Sequence, residues 1–153
     1  MKKLLCLFLA VMLKSVYANG FDLKQEFSEG FYGLHLISAH DTEKDINNGN
    51  LGFYLRTKSG FTAGQYKNSC NTYTNYYGWS SPEYWRIRVT PLIASGYHCL
   101  TESSTQDGRR WNFTIVPTIR LYTINDVLGL KDLSFRALLV PGLAHLMVEG
   151  SFN

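Results

Sequence analysis

Between Trp111 and Leu121 the chain alternates almost without exception. Trp111, Phe113, Ile115, Pro117, Ile119 and Leu121 are apolar, while Asn112, Thr114, Thr118 and Arg120 between them are polar. Successive residues of a strand point to opposite faces, so this pattern builds a sheet with one apolar and one mixed face. The last run repeats it, with Ala144, Leu146, Val148 and Phe152 set against His145, Met147, Glu149 and Ser151. Ten Tyr, nine Phe, many β-branched residues and closely spaced turn residues extend the reading over most of the chain.

Eight strand-like runs follow: 31–40, 50–58, 61–69, 72–79, 84–98, 110–121, 133–140 and 143–152. Before them, residues 20–29 have the pattern of a short amphipathic helix, with Phe21, Leu23 or Lys24, and Phe27 near one side. Eight alternating strands without covering helices predict an all-β fold, an antiparallel up-and-down barrel. No internal repeat or linker divides it, so residues 19–153 form one domain.

Alternation does not say which face looks inward. An apolar interior makes a soluble, calycin-like barrel that binds an apolar ligand, and an apolar exterior makes an outer-membrane barrel. Runs of about 9–11 residues suit a tilted membrane-crossing strand. An even strand number puts both termini on one side. Connections alternate in length, long at 41–49 and 99–109 and short at 59–60 and 80–83, as extracellular loops and periplasmic turns do. Other features resist: 122–132 is long where a turn belongs, and 141–142 is short where a loop would fit. Arg86 and Arg88 fall within a strand and are tolerable only facing the lumen. Pro91 and Pro117 each remove a ladder donor and call for bulges or a broken seam.

The first eighteen residues have the layout of a cleaved export signal: Lys2 and Lys3, an apolar run from Leu4 to Leu13, and Val16-Tyr17-Ala18 as the cleavage site. The formal charge of +3 comes from Lys2, Lys3 and Lys14. The remaining chain balances twelve basic against twelve acidic residues, which gives no support to nucleic-acid binding. Cys70 and Cys99 remain after cleavage, and in an exported chain the pair reads as a disulfide. Two cysteines at that spacing make a poor metal site, and neither metal nor cofactor is expected.

The chemistry-bearing residues lie in order. His35 precedes Asp41-Thr42-Glu43-Lys44 by six positions, and GFYL then leads to GQYKNSCNTYTNYYGW, Gly64 to Trp79. No nucleophile elbow and no helical His pair for zinc is present. The succession resembles the lipid A palmitoyltransferase family of the Gram-negative outer membrane, best from His35 to Trp79. The YKNSC segment also resembles one in small exported proteins of bacteria and phages that have no assigned activity.

The resemblance implies a signal-cleaved, eight-stranded outer-membrane barrel, preceded by an amphipathic helix and acting on phospholipid and lipid A. It places the catalytic His on His35 and the Ser on Ser69. The family's Asp falls on Asn68, which cannot supply a negative charge but can orient a ring or bind an ester carbonyl. His35 is then expected as the base, with Ser69 as nucleophile or oxyanion donor. The alternative is a non-enzymatic small barrel, phage- or host-encoded, that binds a partner or apolar ligand in the outer membrane or periplasm. A monomer is expected in either case.

Overall fold

The computed structural model describes residues 22–40, 47–96, 111–127, 129–140 and 143–152. Eight antiparallel strands close into one barrel in sequence order. They are β1 (Phe31–His40), β2 (Gly52–Arg56), β3 (Phe61–Lys67), β4 (Tyr73–Trp79), β5 (Ile87–Ala94), β6 (Asn112–Val127), β7 (Leu130–Val140) and β8 (Leu143–Phe152). β8 pairs with β1 along its length, from Phe31↔Ser151 to His40↔Leu143, so the cylinder has no open edge. A six-residue helix, α1 (Leu23–Ser28), precedes β1, capped by Asp22, whose side chain accepts from the Lys24 N–H. Residues 20 and 21 of the expected helical segment lie outside the described residues.

The barrel is polar inside and apolar outside. Leu34, Ile37, Phe53, Ile93, Phe113, Ile115 and Leu139 stand on the outer surface, with Phe53 63% and Phe113 68% exposed. His35, Arg56, Arg88, Arg136, His145 and Glu149 are buried within. On β8 the mixed face, His145 through Ser151, is therefore the lumen face. A barrel with an apolar lumen has the opposite arrangement.

One expected irregularity, the long connection at 122–132, resolves as strand, and the other, at 141–142, lies outside the described residues. Residues 122–132 are a continuation of the β6–β7 hairpin, paired from Tyr122↔Phe135 to Val127↔Leu130. The expected strand 84–98 is in part a turn: Tyr84 and Ile87 exchange backbone hydrogen bonds, while Trp85 and Arg86 take positive φ of 51° and 67°. That is the geometry of a two-residue hairpin turn whose twist suits the flanking strands. Arg86 thus lies at the barrel end and only Arg88 enters the lumen. Pro91 and Pro117 sit in a β5–β6 ladder of unbroken register. The β4–β5 ladder, by contrast, stops at Gly78↔Leu92, beside Pro91.

Little aliphatic core exists. Tyr54, Tyr76, Ala94 and Met147 make the buried apolar cluster, with Tyr66, Leu92 and Leu138 against it. Two glycines make room for the rings: a Cβ at Gly33 would fall on the Tyr54 ring, and one at Gly64 would meet the Tyr76 hydroxyl. Below this layer Glu149 ties three strands together. Its carboxylate accepts from Arg88 Nη1 at 2.7 and 3.0 Å, from Arg56 Nη2 at 3.2 Å and from Tyr54 Oη at 3.2 Å. Removing one partner of a buried ion cluster leaves charge uncompensated. Glu149→Ala is accordingly expected to destabilise the barrel by about 3–5 kcal/mol. Urea unfolding in detergent micelles, followed by tryptophan fluorescence, measures the loss.

Candidate functional site

His35 projects inward from the middle of β1 and is nearly enclosed. Its Nδ1 lies 2.8 Å from His145 Nε2, and its Nε2 lies 2.8 Å from the Tyr76 hydroxyl. His145 Nδ1 is 3.1 Å from Ser38 Oγ, and Ser38 donates in turn to Asn50 Oδ1. With its proton on Asn50, Ser38 accepts from His145 Nδ1–H; with both rings neutral, His145 Nε2 then accepts from His35 Nδ1–H, and His35 Nε2 from Tyr76 O–H. Both imidazoles are neutral in this chain of bonds, and both nitrogens of His35 are occupied. Tyr66 stacks on the same ring, centroids 4.6 Å apart.

Asn68 and Ser69 close the top of β3. Asn68 is fully buried, and every polar atom of its side chain is used within the turn. Its Nδ2 donates to Thr74 Oγ1 and to the Gly96 carbonyl, both at 2.9 Å. Its Oδ1 accepts from the Cys70 N–H at 2.9 Å and from the Thr72 N–H at 3.1 Å. This is an amide that holds a turn together and binds it to the chain leaving β5. An aspartate could not make the same set of bonds, because the one to the Gly96 carbonyl needs a donor at residue 68.

Ser69 meets a different histidine from the one expected. Its Oγ lies 2.8 Å from His40 Nε2, and His40 Nδ1 lies 2.8 Å from Asn48 Oδ1. An amide oxygen only accepts, so His40 carries its proton on Nδ1, and Nε2 is the acceptor facing the Ser69 hydroxyl. Hydroxyl, imidazole and amide oxygen therefore stand in the order that activates a nucleophile: the ring takes the proton, and the third group fixes its tautomer. Ser69 and His35 line the same lumen cavity of about 350 Å³, Ser69 from just beyond the end of β3. The N–H of Cys70, next after Ser69, is spent on Asn68 and is not available to an oxyanion.

A bulge brings His40 into place. The β1–β8 register shifts between His35 and Ile37, so Leu36 is the extra residue. Inward positions before it are odd-numbered, Gly33 and His35; after it they are even-numbered, Ser38 and His40. A count of strand parity from His35 puts Ser38 and His40 on the outer wall, and the sequence carries no mark of the bulge. Asn48 follows the 41–46 segment, which lies outside the described residues. His98 and Cys99 also lie outside them, so the expected Cys70–Cys99 bridge is not seen directly. Among the described residues no cluster of three His, Cys, Asp or Glu is placed to hold a metal ion.

If Asn68 is a structural amide, restoring the carboxylate of the resembled family should weaken the barrel rather than sharpen a site. Asn68→Asp is expected to cost about 1–3 kcal/mol, the penalty of buried groups left without partners. A lower urea midpoint with no gain in lipid turnover is the expected result. A scan of protein-family models and a search of curated proteins each give no match to this chain.

Proposed function

We propose that this chain is an outer-membrane β-barrel that moves an acyl chain from a phospholipid to a lipid acceptor at its rim. Ser69 is the nucleophile and His40 the base. The observation that carries the reading is the Ser69–His40–Asn48 chain of hydrogen bonds, whose Ser69 lines the lumen cavity. The apolar outer wall supports the membrane location, because lipid is the solvent that such a surface suits. Export by the amino-terminal segment and contact of the exposed Leu23 and Phe27 of α1 with the membrane surface belong to the same reading. The kinship with lipid A palmitoyltransferases is kept at the level of architecture and reaction class, with His40 in the role first expected of His35.

The steps balance without a cofactor. His40 Nε2 takes the Ser69 proton as Oγ attacks the ester carbonyl of the phospholipid. The lysophospholipid leaves as an alcohol with that proton, and an acyl-serine remains. An acceptor hydroxyl or amine then gives its proton to His40, attacks the acyl-serine and restores Ser69. Asn48 orients the ring but cannot offset an imidazolium as a carboxylate does, so modest rates are expected.

The test uses refolded protein with radiolabelled phospholipid and lipid A. Ser69→Ala and His40→Ala are expected to lower acyl transfer by about 10²-fold or more. A folded His35→Ala should keep turnover; the reverse pattern, loss with His35→Ala alone, would return the role to His35. The mature chain is also expected in the membrane fraction and released only by detergent. Recovery as a soluble protein would end the outer-membrane reading.

Thr72 Oγ1 and Asn68 Nδ2 both bond the Gly96 carbonyl, holding the chain that leads to Cys99 beside the turn that carries Cys70. A Cys70–Cys99 bridge would stabilise that rim by roughly 3–4 kcal/mol in the chain-entropy model. The second reading, a non-enzymatic envelope barrel, is favoured by the structural employment of Asn68 and His35. It predicts that Ser69→Ala leaves the phenotype intact.

A further inference from the structure

The floor of the lumen gathers cations around one carboxylate. Glu83, in the connection between β4 and β5, meets guanidinium groups from three adjacent strands. Its Oε2 lies 2.6 Å from Arg136 Nη1 of β7 and 3.8 Å from Arg88 Nη2 of β5, and its Oε1 lies 2.8 Å from Arg120 Nη2 of β6. Arg88 Nη1 is held from the other side by Glu149, which also takes Arg56. Four cations thus share two anions.

Two features of this cluster exceed what a structural ion pair needs. Arg120 and Arg136 stand directly opposite each other in the β6–β7 ladder. Like charges so placed destabilise a sheet, and the pair calls for an anion between them. Glu83 supplies it from a segment that is otherwise turned to solvent: Pro82, Tyr84, Trp85 and Arg86 are all exposed, Trp85 by 80%. Its carboxylate can leave by rotation of its own side chain, without moving a packed neighbour on that segment.

The charge and shape of the cluster suit a phosphoryl group better than a carboxylate. Guanidinium groups bind phosphate oxygens, as they bind carboxylates, through paired N–H donors. A phosphate monoester carries a charge of about −1.5 to −2 near neutral pH and three strong acceptor oxygens, more than one carboxylate offers to three arginines. The Arg120 side chain is 39% exposed, and neither it nor Glu83 lines the lumen cavity, so the cluster is reached from the end of the barrel.

We infer that Arg88, Arg120 and Arg136 form a binding site for a phosphoryl dianion, and that Glu83 fills it as an internal stand-in until such a group displaces it. The site lies between the end of β4 and the start of β5, at the opposite end of the β3–β4 hairpin from Ser69. It holds whether or not the rim transfers acyl groups, so failure of one does not decide the other.

The experiment is a calorimetric titration of the whole mature barrel in neutral detergent, with inorganic phosphate replacing chloride at constant ionic strength. The parent is expected to bind phosphate saturably. Glu83→Gln should bind about tenfold more tightly, because the competing charge is gone, and Arg120→Met about tenfold more weakly. A short-chain phosphatidate in the same detergent identifies the source of the group. Tighter binding than phosphate assigns the site to a lipid head group and weaker binding to a free solute, and both support it. Absence of saturable phosphate binding by the parent overturns the inference and needs no variant to fold. Equal phosphate affinity in the parent and a folded Glu83→Gln also overturns it, since Glu83 would then not occupy the site.

Discussion

The barrel stands on one carboxylate. Glu149 reaches from β8 to Arg56 on β2, Arg88 on β5 and Tyr54 on β2, and so spans the lumen where a soluble barrel would place packed aliphatic side chains. Each ion brought out of water costs several kcal/mol, and a single pair would barely recover it. Two arginines and a tyrosine on the same carboxylate use its lone pairs fully, which makes burial tolerable. The outer wall imposes this arrangement. Once alternate residues of every strand are given to apolar side chains facing outward, the other half must satisfy one another inside.

Above that cluster the interior is neutral, and the difference has consequences. Tyr76, His35, His145, Ser38 and Asn50 pass one hydrogen bond to the next in a single direction, and Asn50 Nδ2 ends the series on the Lys67 carbonyl of β3. The layer therefore joins β4, β1, β8 and β3 as a neutral brace between the ionic floor and the rim. His35 is committed to that brace. A base must have a free acceptor directed at its proton donor, and His40 has one where His35 does not.

How far the sequence carries this account depends on what each feature needs. Period-two alternation in 111–121 and 143–152 is enough to read those two strands, because it is a property of single runs, while the strand number and the closed barrel rest on the count of eight runs. The polar composition of the β8 lumen face, with His145 and Glu149 on one side, was equally visible, but its direction was not. Both an inverted and an ordinary barrel satisfy the same alternation. The β6–β7 hairpin hid in 122–132 because its outer residues continue past a register shift at Leu121 that breaks the count. The rim pairing hid for the same reason at Leu36. Asn68 stands out in the sequence, yet its role depends on Thr74 and Gly96, partners that only the folded chain brings together.

A single inserted residue thus does more for the rim than any motif residue. Without Leu36 as a bulge, β1 would present Ile37 and Ala39 to the lumen and turn Ser38 and His40 outward. The neutral brace would then lose Ser38, the link from His145 to Asn50, and Ser69 would face an alanine. Bulges are a common means of re-aiming side chains at barrel rims. Here the bulge serves two ends at once: it lets an upper His belong to the mouth while the lower His belongs to the interior, on one strand and five residues apart. Two imidazoles of unlike duty on a strand of strict parity would have to be an even number of residues apart to share a face. The odd separation of 35 and 40 is possible only because the strand breaks its own period between them.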